Sequence, residues 1–430
     1  MVLLWKPTSL VNERSKEEGK PLLWDPRTDI REVFSARPDA LDGLRGVSIL
    51  MVVLFHCFFV LKVALPKAAF VDFLSGTPHL IRLIFNFDKA VDVFFVVSGY
   101  LIGTSLLRER LIHGSLRLWT YYQRRVFRIL PLFWIALLLY GSLAWKGDWE
   151  SLVVNFLFLE NLVPSVTKLV PVGWSLSMEV QFYIFAPLLF LLPLSRIPRV
   201  LFVLLALSII VRLSLLLVNP EFFTTAPLRY LSGEVSGSSL LETLYYPTWA
   251  RVGPIILGLL IPFMAHRYYS WFSEKKGVLL SLAGLSLFVG MVFPTYHHEV
   301  VTSPRLQLIG LTIDRVLVGF AAATLILYWQ LDEKASALSA SRRLLGHRTF
   351  SVWGRLVYPT YLFHLPVVAI AFLVVFQTTR PASVEQADYI QALAMFPLSL
   401  VLMLPIALLI HVLIEKPFIR LGTRKRETKD

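Results

Sequence analysis

The chain has 430 residues, 56% of them hydrophobic and 17% charged, with a mean hydropathy of +0.65. That composition excludes an ordinary water-soluble globular domain and marks an integral membrane protein. The net charge of +13 therefore bears first on topology, with no nucleic-acid partner expected, and the one cysteine, Cys57, excludes an intrachain disulfide.

The chain begins MVLLWKPTSLVNERSKEEGK, whose apolar run breaks at Lys6 and Pro7, too soon for a signal peptide. Residues 1–40 read as a retained polar cytoplasmic extension, resting partly on the membrane surface through Trp5, Leu22, Leu23 and Trp24. Beyond it the sequence predicts an all-α integral membrane protein, with a membrane domain over 41–420 and a basic cytoplasmic tail over 421–430. Ten apolar segments are long enough for a hydrocarbon core of about 30 Å: 44–64, 90–107, 127–145, 175–194, 199–218, 251–267, 277–296, 309–330, 354–376 and 391–415. An eleventh, SLVVNFLFLENLVP at 151–164, is shorter and carries Asn155, Glu160 and Asn161, so it reads as re-entrant or interfacial. With ten spans both termini share one side, and that side holds 30 of the 42 lysines and arginines; the excess makes both termini cytoplasmic. The longest outward loop, about 219–250, is the natural place for an acceptor-selecting lid, and a disordered loop is equally allowed.

This orientation sorts the ionisable residues into two levels. In RGVSILMVVLFH, Arg45 sits near the inner face and His56 about 16 Å further out, since a helix rises about 1.5 Å per residue. Asp92, Ser175 and Glu179 fall in outer halves of their spans, and His364 lies near mid-depth. Arg251 and the Asp314-Arg315 pair begin the sixth and eighth spans on the outer side. The inner face collects Asp42, Arg45, Arg108, Arg110, Arg124, Arg125 and Arg128. Guanidiniums at one level and imidazole with carboxylates at the other suit a cytosolic polyanion whose reactive end reaches across, and a coenzyme A thioester has that shape.

Each residue also has a plainer reading. The basic run Arg124 to Arg128 serves as a topology signal, although Arg125 and Arg128, three apart, share a helix face and could grip one phosphate group. Glu179 fits a first-turn carboxylate favoured by the helix dipole, and His364 and Arg212 fit packed, hydrogen-bonded side chains. His56 has no sequence neighbour to pair with, and a mid-membrane imidazole is a functional candidate by default. His297-His298-Glu299 lacks a third histidine at ligand spacing, so no metal is expected. No G-x-S-x-G, H-E-x-x-H or G-x-x-x-x-G-K-[ST] occurs, which leaves histidine the best placed base.

Six segments, DALDGLRGVSILMVVLFH (39–56), VDVFFVVSGYLIG (91–103), YYQRRVFRILPLFW (121–134), GWSLSMEVQFYIFAPLL (173–189), YPTYLFHLPV (358–367) and HVLIEKPFIRL (411–421), resemble in order the hallmark segments of the membrane acyltransferase-3 family. The resemblance spans about residues 37–421. It implies a ten-helix enzyme of a bacterial inner membrane that passes an acyl group, usually acetyl, from cytoplasmic acyl-CoA to a hydroxyl of a glycan or glycolipid at the outer side. The family's Arg-x10-His element falls on Arg45 and His56, its Arg-x-x-Arg element on Arg125 and Arg128, and its Trp-Ser-x-x-x-Glu segment on Trp174, Ser175 and Glu179. Ser98, Trp174, Ser175, Arg251, Tyr361 and His364 are the expected acceptor- or pore-lining residues. The extension before Arg37 is longer than in many members. No appended extracytoplasmic hydrolase-like domain is expected, which leaves the membrane domain to complete transfer or to hand over to a partner.

The leading expectation is that His56 acts as general base toward the acceptor hydroxyl, oriented by Glu179 or Asp92, while Arg45, Arg124, Arg125 and Arg128 hold the acyl-CoA phosphates. A variant has His56 carry the acyl group covalently. The rival class is a transporter or flippase of a charged or glycan-linked solute, where intramembrane His, Glu and Arg are equally expected.

Overall fold

The structure, a computed structural model, describes residues 23–37, 39–144, 147–164, 166–292, 303–331 and 340–423. Trp5 and Leu22 of the extension, the His297-His298-Glu299 run and the basic end of the tail lie outside them. Among the described residues there is no β-strand.

The helices that build the site are, in chain order, α1 (Pro26–Ser35), α2 (Ala40–Ala64), α3 (Lys67–Gly76), α4 (Ala90–His113), α5 (Leu118–Ala144), α6 (Trp149–Phe156), α7 (Gly173–Leu189), α8 (Ile197–Val218), α9 (Gly253–Arg267), α10 (Lys276–Val292), α11 (Pro304–Leu331), α12 (Arg348–Arg355), α13 (Val357–Val375), α14 (Tyr389–Ile410) and α15 (Lys416–Thr423). Seven helical runs are long and apolar enough to cross a membrane: α2, His79–His113 ending in α4, Leu118–Leu143 of α5, α8, α11, α13 and Tyr389–Thr423 from α14 onward. The other three expected spans fall on α7, α9 and α10, of 17, 15 and 17 residues. At about 1.5 Å per residue their described parts measure about 22–26 Å, against a core of about 30 Å, so among the described residues seven helical runs meet the length criterion, and the description of α10 stops at Val292.

The segment 151–164 does not form a spanning helix. α6 has only 8 residues, and the chain then turns. Its polar residues hold the non-helical backbone: Asn155 Nδ2 donates to Ser151 O and Thr167 O at 2.7 and 2.8 Å, and its Oδ1 accepts from Leu169 N at 3.0 Å. Asn161 and Gln181 join this segment to Thr248 at the end of the 219–250 loop. Backbone satisfied inside protein in this way is the condition for irregular chain at membrane depth.

Helix packing follows side-chain size. α4 crosses α9 where Gly99 meets Gly258; a Cβ on Gly99 would stand 2.2 Å from Ile255 O, and one on Gly258 2.1 Å from Val96 O. Only glycine permits this approach, and small residues at crossings are the usual way membrane helices gain packing without a hydrophobic driving force. Large apolar side chains such as Leu138, Val203, Phe288 and Val401 stand exposed on the outside, as a lipid-facing surface requires. α8 is the outermost kind of helix, with 22% of its apolar stretch buried, whereas the run ending in α4 is central, with 78% buried.

Part of the N-terminal extension folds back on the domain. Asp29 of α1 is fully buried and takes two hydrogen bonds from Arg420 of α15, at 2.5 and 3.1 Å, and Arg355 of α12 donates to Val33 O at 2.7 Å. Leu23 and Trp24 are exposed.

Candidate functional site

Among the described residues, two cavities of the helix bundle hold the expected site residues. The first, of about 120 Å³, collects Arg45 from α2, Ser98 from α4, Arg125 and Arg128 from α5, and Ser175 and Glu179 from α7, with Tyr361 from α13 at its wall. The spacings explain the convergence: Arg125 and Arg128 stand one turn apart on one face, as do Ser175 and Glu179. Ser98 Oγ donates to Glu179 Oε1 at 2.5 Å, and Tyr183 OH donates to the same oxygen. Arg125 stacks over Tyr121 and Tyr183, 5.0 and 5.5 Å from the ring centroids. Arg45 meets Asp42 at 3.5 Å, and Asp42 is shared with Arg355 at 3.4 Å. Neither Arg125 nor Arg128 has an ion-pair partner among the described residues. Three guanidiniums facing one carboxylate leave a cavity fitted to an anion, and the bidentate geometry of arginine suits phosphate. Arg124, expected with them, is exposed and lines neither cavity; on a helix it points about 100° away from Arg125.

The second cavity, of about 460 Å³, is apolar and aromatic and is lined by His56. Its walls include Phe55, Phe59, Trp174 and Lys62, and its roof comes from the 219–250 loop through Tyr230, Tyr245 and Tyr246. That loop is ordered into short helical turns, among them Pro227–Leu231 and Thr248–Arg251, so it covers the cavity rather than extending as a free coil. Trp174 packs against Tyr245 and Tyr246 with ring centroids 4.8 and 5.7 Å apart.

His56 is paired with a second histidine. His364 Nε2 lies 3.2 Å from His56 Nδ1, with ring centroids 4.7 Å apart. His56 Nδ1 is also 2.8 Å from Val52 O, and His364 Nδ1 is 2.8 Å from Tyr361 O. A carbonyl oxygen can only accept, so both rings carry hydrogen on Nδ1, and in the neutral rings His364 Nε2 is the lone pair that His56 Nδ1–H meets. The nitrogen of His56 left for a ligand is then Nε2, bearing its lone pair. Neither Glu179 nor Asp92, the carboxylates expected to orient His56, is hydrogen-bonded to it among the described contacts.

Asp92 is occupied elsewhere. Its two oxygens accept from Arg251 Nη2 at 3.0 Å and from Arg315 Nη1 at 3.1 Å, all three side chains being buried. Arg315 also binds Asp88 at 2.6 Å, while Asp314 takes Lys89 at 3.5 Å and Arg212 at 3.6 Å. Three carboxylates and four cations thus form one buried cluster between the start of α4, α8, α11 and the end of the loop. Arg251, expected to line the acceptor path, lines neither cavity. It stacks under Trp174 and Tyr245, 5.1 and 4.7 Å from their centroids, and so supports the aromatic wall from behind. Sequence reasoning singled out Asp92 for its depth; what it could not see is that Arg251 and Arg315 converge on it.

A family model described as an acyltransferase domain matches residues 39–412, nearly the whole described chain. The chain belongs to the acyltransferase-3 family. Among curated relatives it is 24% identical over 368 residues to the peptidoglycan O-acetyltransferase OatA of Listeria monocytogenes, covering 80% of this chain and 51% of that protein. It is 24% identical over 351 residues to the O-acetyltransferase OatA of Staphylococcus aureus, covering 76% of this chain and 50% of that one. A putative O-acetyltransferase of Staphylococcus aureus is 26% identical over 244 residues, 52% of this chain and 34% of its own. The chain therefore spans about half the length of the curated relatives it matches first. No solved structure matches it significantly.

Proposed function

We propose that this membrane protein is an O-acyltransferase that moves an acyl group, acetyl in the simplest case, from acyl-CoA held in the arginine cavity to a hydroxyl of a glycan acceptor held in the aromatic cavity. The observation that carries the reading is the pairing of an arginine cavity without full carboxylate compensation with an aromatic cavity that presents a histidine lone pair. Arg45, Arg125 and Arg128 would hold the phosphates of the donor, and the pantetheine arm would run toward Tyr361. Flat apolar sugar faces stack well on aromatic rings, which suits the Trp174, Tyr245 and Tyr246 wall. The names of the similar proteins, peptidoglycan O-acetyltransferase among them, favour a peptidoglycan-type glycan.

In the transfer His56 Nε2 takes the proton of the acceptor hydroxyl, the hydroxyl oxygen bonds to the acyl carbon, the carbon–sulfur bond breaks and the departing thiolate of coenzyme A takes up a proton. In the covalent variant His56 Nε2 itself attacks first and the acceptor oxygen displaces it. His364 replaces the expected carboxylate as the group that holds the His56 ring. We assign the arginine cavity to the cytoplasmic side of a bacterial inner membrane with both termini there, and α7, α9 and α10 complete ten crossings; the basic-residue excess supports this orientation.

The test is transfer of label from acetyl-CoA to a glycan acceptor by purified protein, compared with His56→Ala shown to be folded. Transfer that falls by about 10²–10⁴-fold in the variant supports the reading. Solute flux without donor consumption would instead favour a transporter. A single turnover without acceptor separates the two routes, because only the covalent one leaves label on His56.

A further inference from the structure

The two cavities have two lining residues in common, Val91 of α4 and Tyr361 of α13. These residues are therefore the wall between them. Tyr361 is held there by its hydroxyl, which lies 2.6 Å from Ser175 Oγ and 3.4 Å from Val172 O, while Ser175 Oγ donates to the same carbonyl at 3.1 Å. Val172 and Trp174 face the aromatic cavity and Ser175 faces the arginine cavity, so this hydroxyl pair sits at the boundary. Phe94 buttresses the tyrosine ring edge-on at 6.1 Å. On the far side, three residues along α13, His364 meets His56.

We infer that Val91 and Tyr361 form a latched partition that admits only a short acyl group from the arginine cavity to His56, and so set the acyl-chain length of the donor. The inference rests on the donor assignment of the preceding section. A wall of two side chains, each facing both cavities and fastened by one hydroxyl pair, can be passed by a rotation of the Tyr361 ring, whereas a longer chain must keep it displaced along its whole length. Deleting methyl groups at Val91 widens the gap without touching the latch. Removing the Tyr361 hydroxyl breaks the latch without removing the ring. The two properties, chain-length selection and sealing, can thus be separated by substitution.

The experiment measures transfer from acyl-CoA donors of two, four and eight carbons by wild type, Val91→Ala, Tyr361→Phe and Tyr361→Ala, with donor hydrolysis in the absence of acceptor. The wild type is expected to favour acetyl over octanoyl by about 100-fold, and Val91→Ala and Tyr361→Ala to narrow that ratio at least about tenfold. Tyr361→Phe should keep the ratio within about threefold and raise acceptor-free hydrolysis about tenfold, by letting water past an unlatched ring. An unchanged ratio in Val91→Ala, with acetyl transfer retained, overturns the inference. A second arm does not depend on the donor: in sealed vesicles carrying Cys57→Ser and Phe59→Cys, a membrane-impermeant thiol reagent should label Cys at 59 from one face only, and from both faces once Tyr361→Ala is added. Labelling from both faces in the parent, or from one face in the Tyr361→Ala protein, overturns the partition. Absence of acyl-CoA use by the wild type would sink the donor assignment, and the labelling arm would then decide the partition by itself.

Discussion

The protein gathers arginines in two places, and the two are organised oppositely: Arg212, Arg251 and Arg315 are buried, whereas Arg45 and Arg125 are half-buried and Arg128 is exposed. Around Asp92, the guanidiniums of Arg212, Arg251 and Arg315 are met by Asp88, Asp92 and Asp314 and by the carbonyls of Leu311, Leu244, Ala250 and Tyr245. In the first cavity, Arg125 and Arg128 have no ion-pair partner among the described residues, and Glu179 spends one oxygen on Ser98 and Tyr183. A buried charge whose partners are all internal is structural, and a cavity-lining charge left without an ion-pair partner is free to take one from outside. Residue type is the same in both places; the difference lies in which elements converge.

The sharpest way to break this comparison is to remove one internal partner. Asp92→Ala leaves Arg251 without its carboxylate and takes one of the carboxylates from Arg315, which keeps Asp88, and loss of one member of a buried pair costs about 3–5 kcal/mol. Thermal unfolding in detergent should show a large drop in midpoint or loss of folded protein; a midpoint like the wild type would mean the cluster is not structural. In the open cavity the same kind of change should spare the fold. Arg125→Ala or Arg128→Ala should raise the KM for acyl-CoA by about 10–100-fold, the range for a lost charge-assisted hydrogen bond, with an unfolding midpoint near that of the wild type. His364→Ala should act on turnover rather than on donor binding. It frees the His56 ring to rotate, and kcat is expected to fall about tenfold with the KM for the donor within about twofold. Should KM rise in step with the fall in kcat, His364 would be a packing residue and not a positioning one. At the small end, Arg124→Ala should leave the KM for acyl-CoA within about twofold, since Arg124 lines neither cavity; a tenfold rise would place it in the site.

Much of this was legible in the chain. The apolar segments appear as helices, and the shared face of Arg125 and Arg128 follows from helix periodicity, which is local. Their company was not legible: the sequence puts Arg45, Arg125 and Arg128 at the inner level and Ser175 and Glu179 at the outer one, whereas all five line one cavity with Ser98. The His56–His364 contact was not legible: 308 positions separate the two, and nothing in either helix specifies which face of α13 meets α2. Asp92 was assigned by depth, and depth cannot distinguish a free carboxylate from one saturated by arginines 159 and 223 positions away. The 219–250 loop reads from sequence as lid or coil alike; its role as the roof follows from Asn161, Gln181 and Thr248, which tie its end to α7, and from its tyrosines packing on Trp174. Gly173–Leu189 and Gly253–Arg267 read as spans in a sliding count because flanking apolar residues extend them, while the folded helices end sooner; the far end of the 277–296 segment lies outside the described residues.

The most direct test of the distinction between open and saturated arginines is the affinity of purified, folded protein for coenzyme A itself. The wild type should bind, and Arg125→Gln with Arg128→Gln should weaken binding at least about 100-fold while the unfolding midpoint stays within a few degrees, the loss of two charge-assisted contacts. Unchanged affinity in the folded double variant would contradict the account.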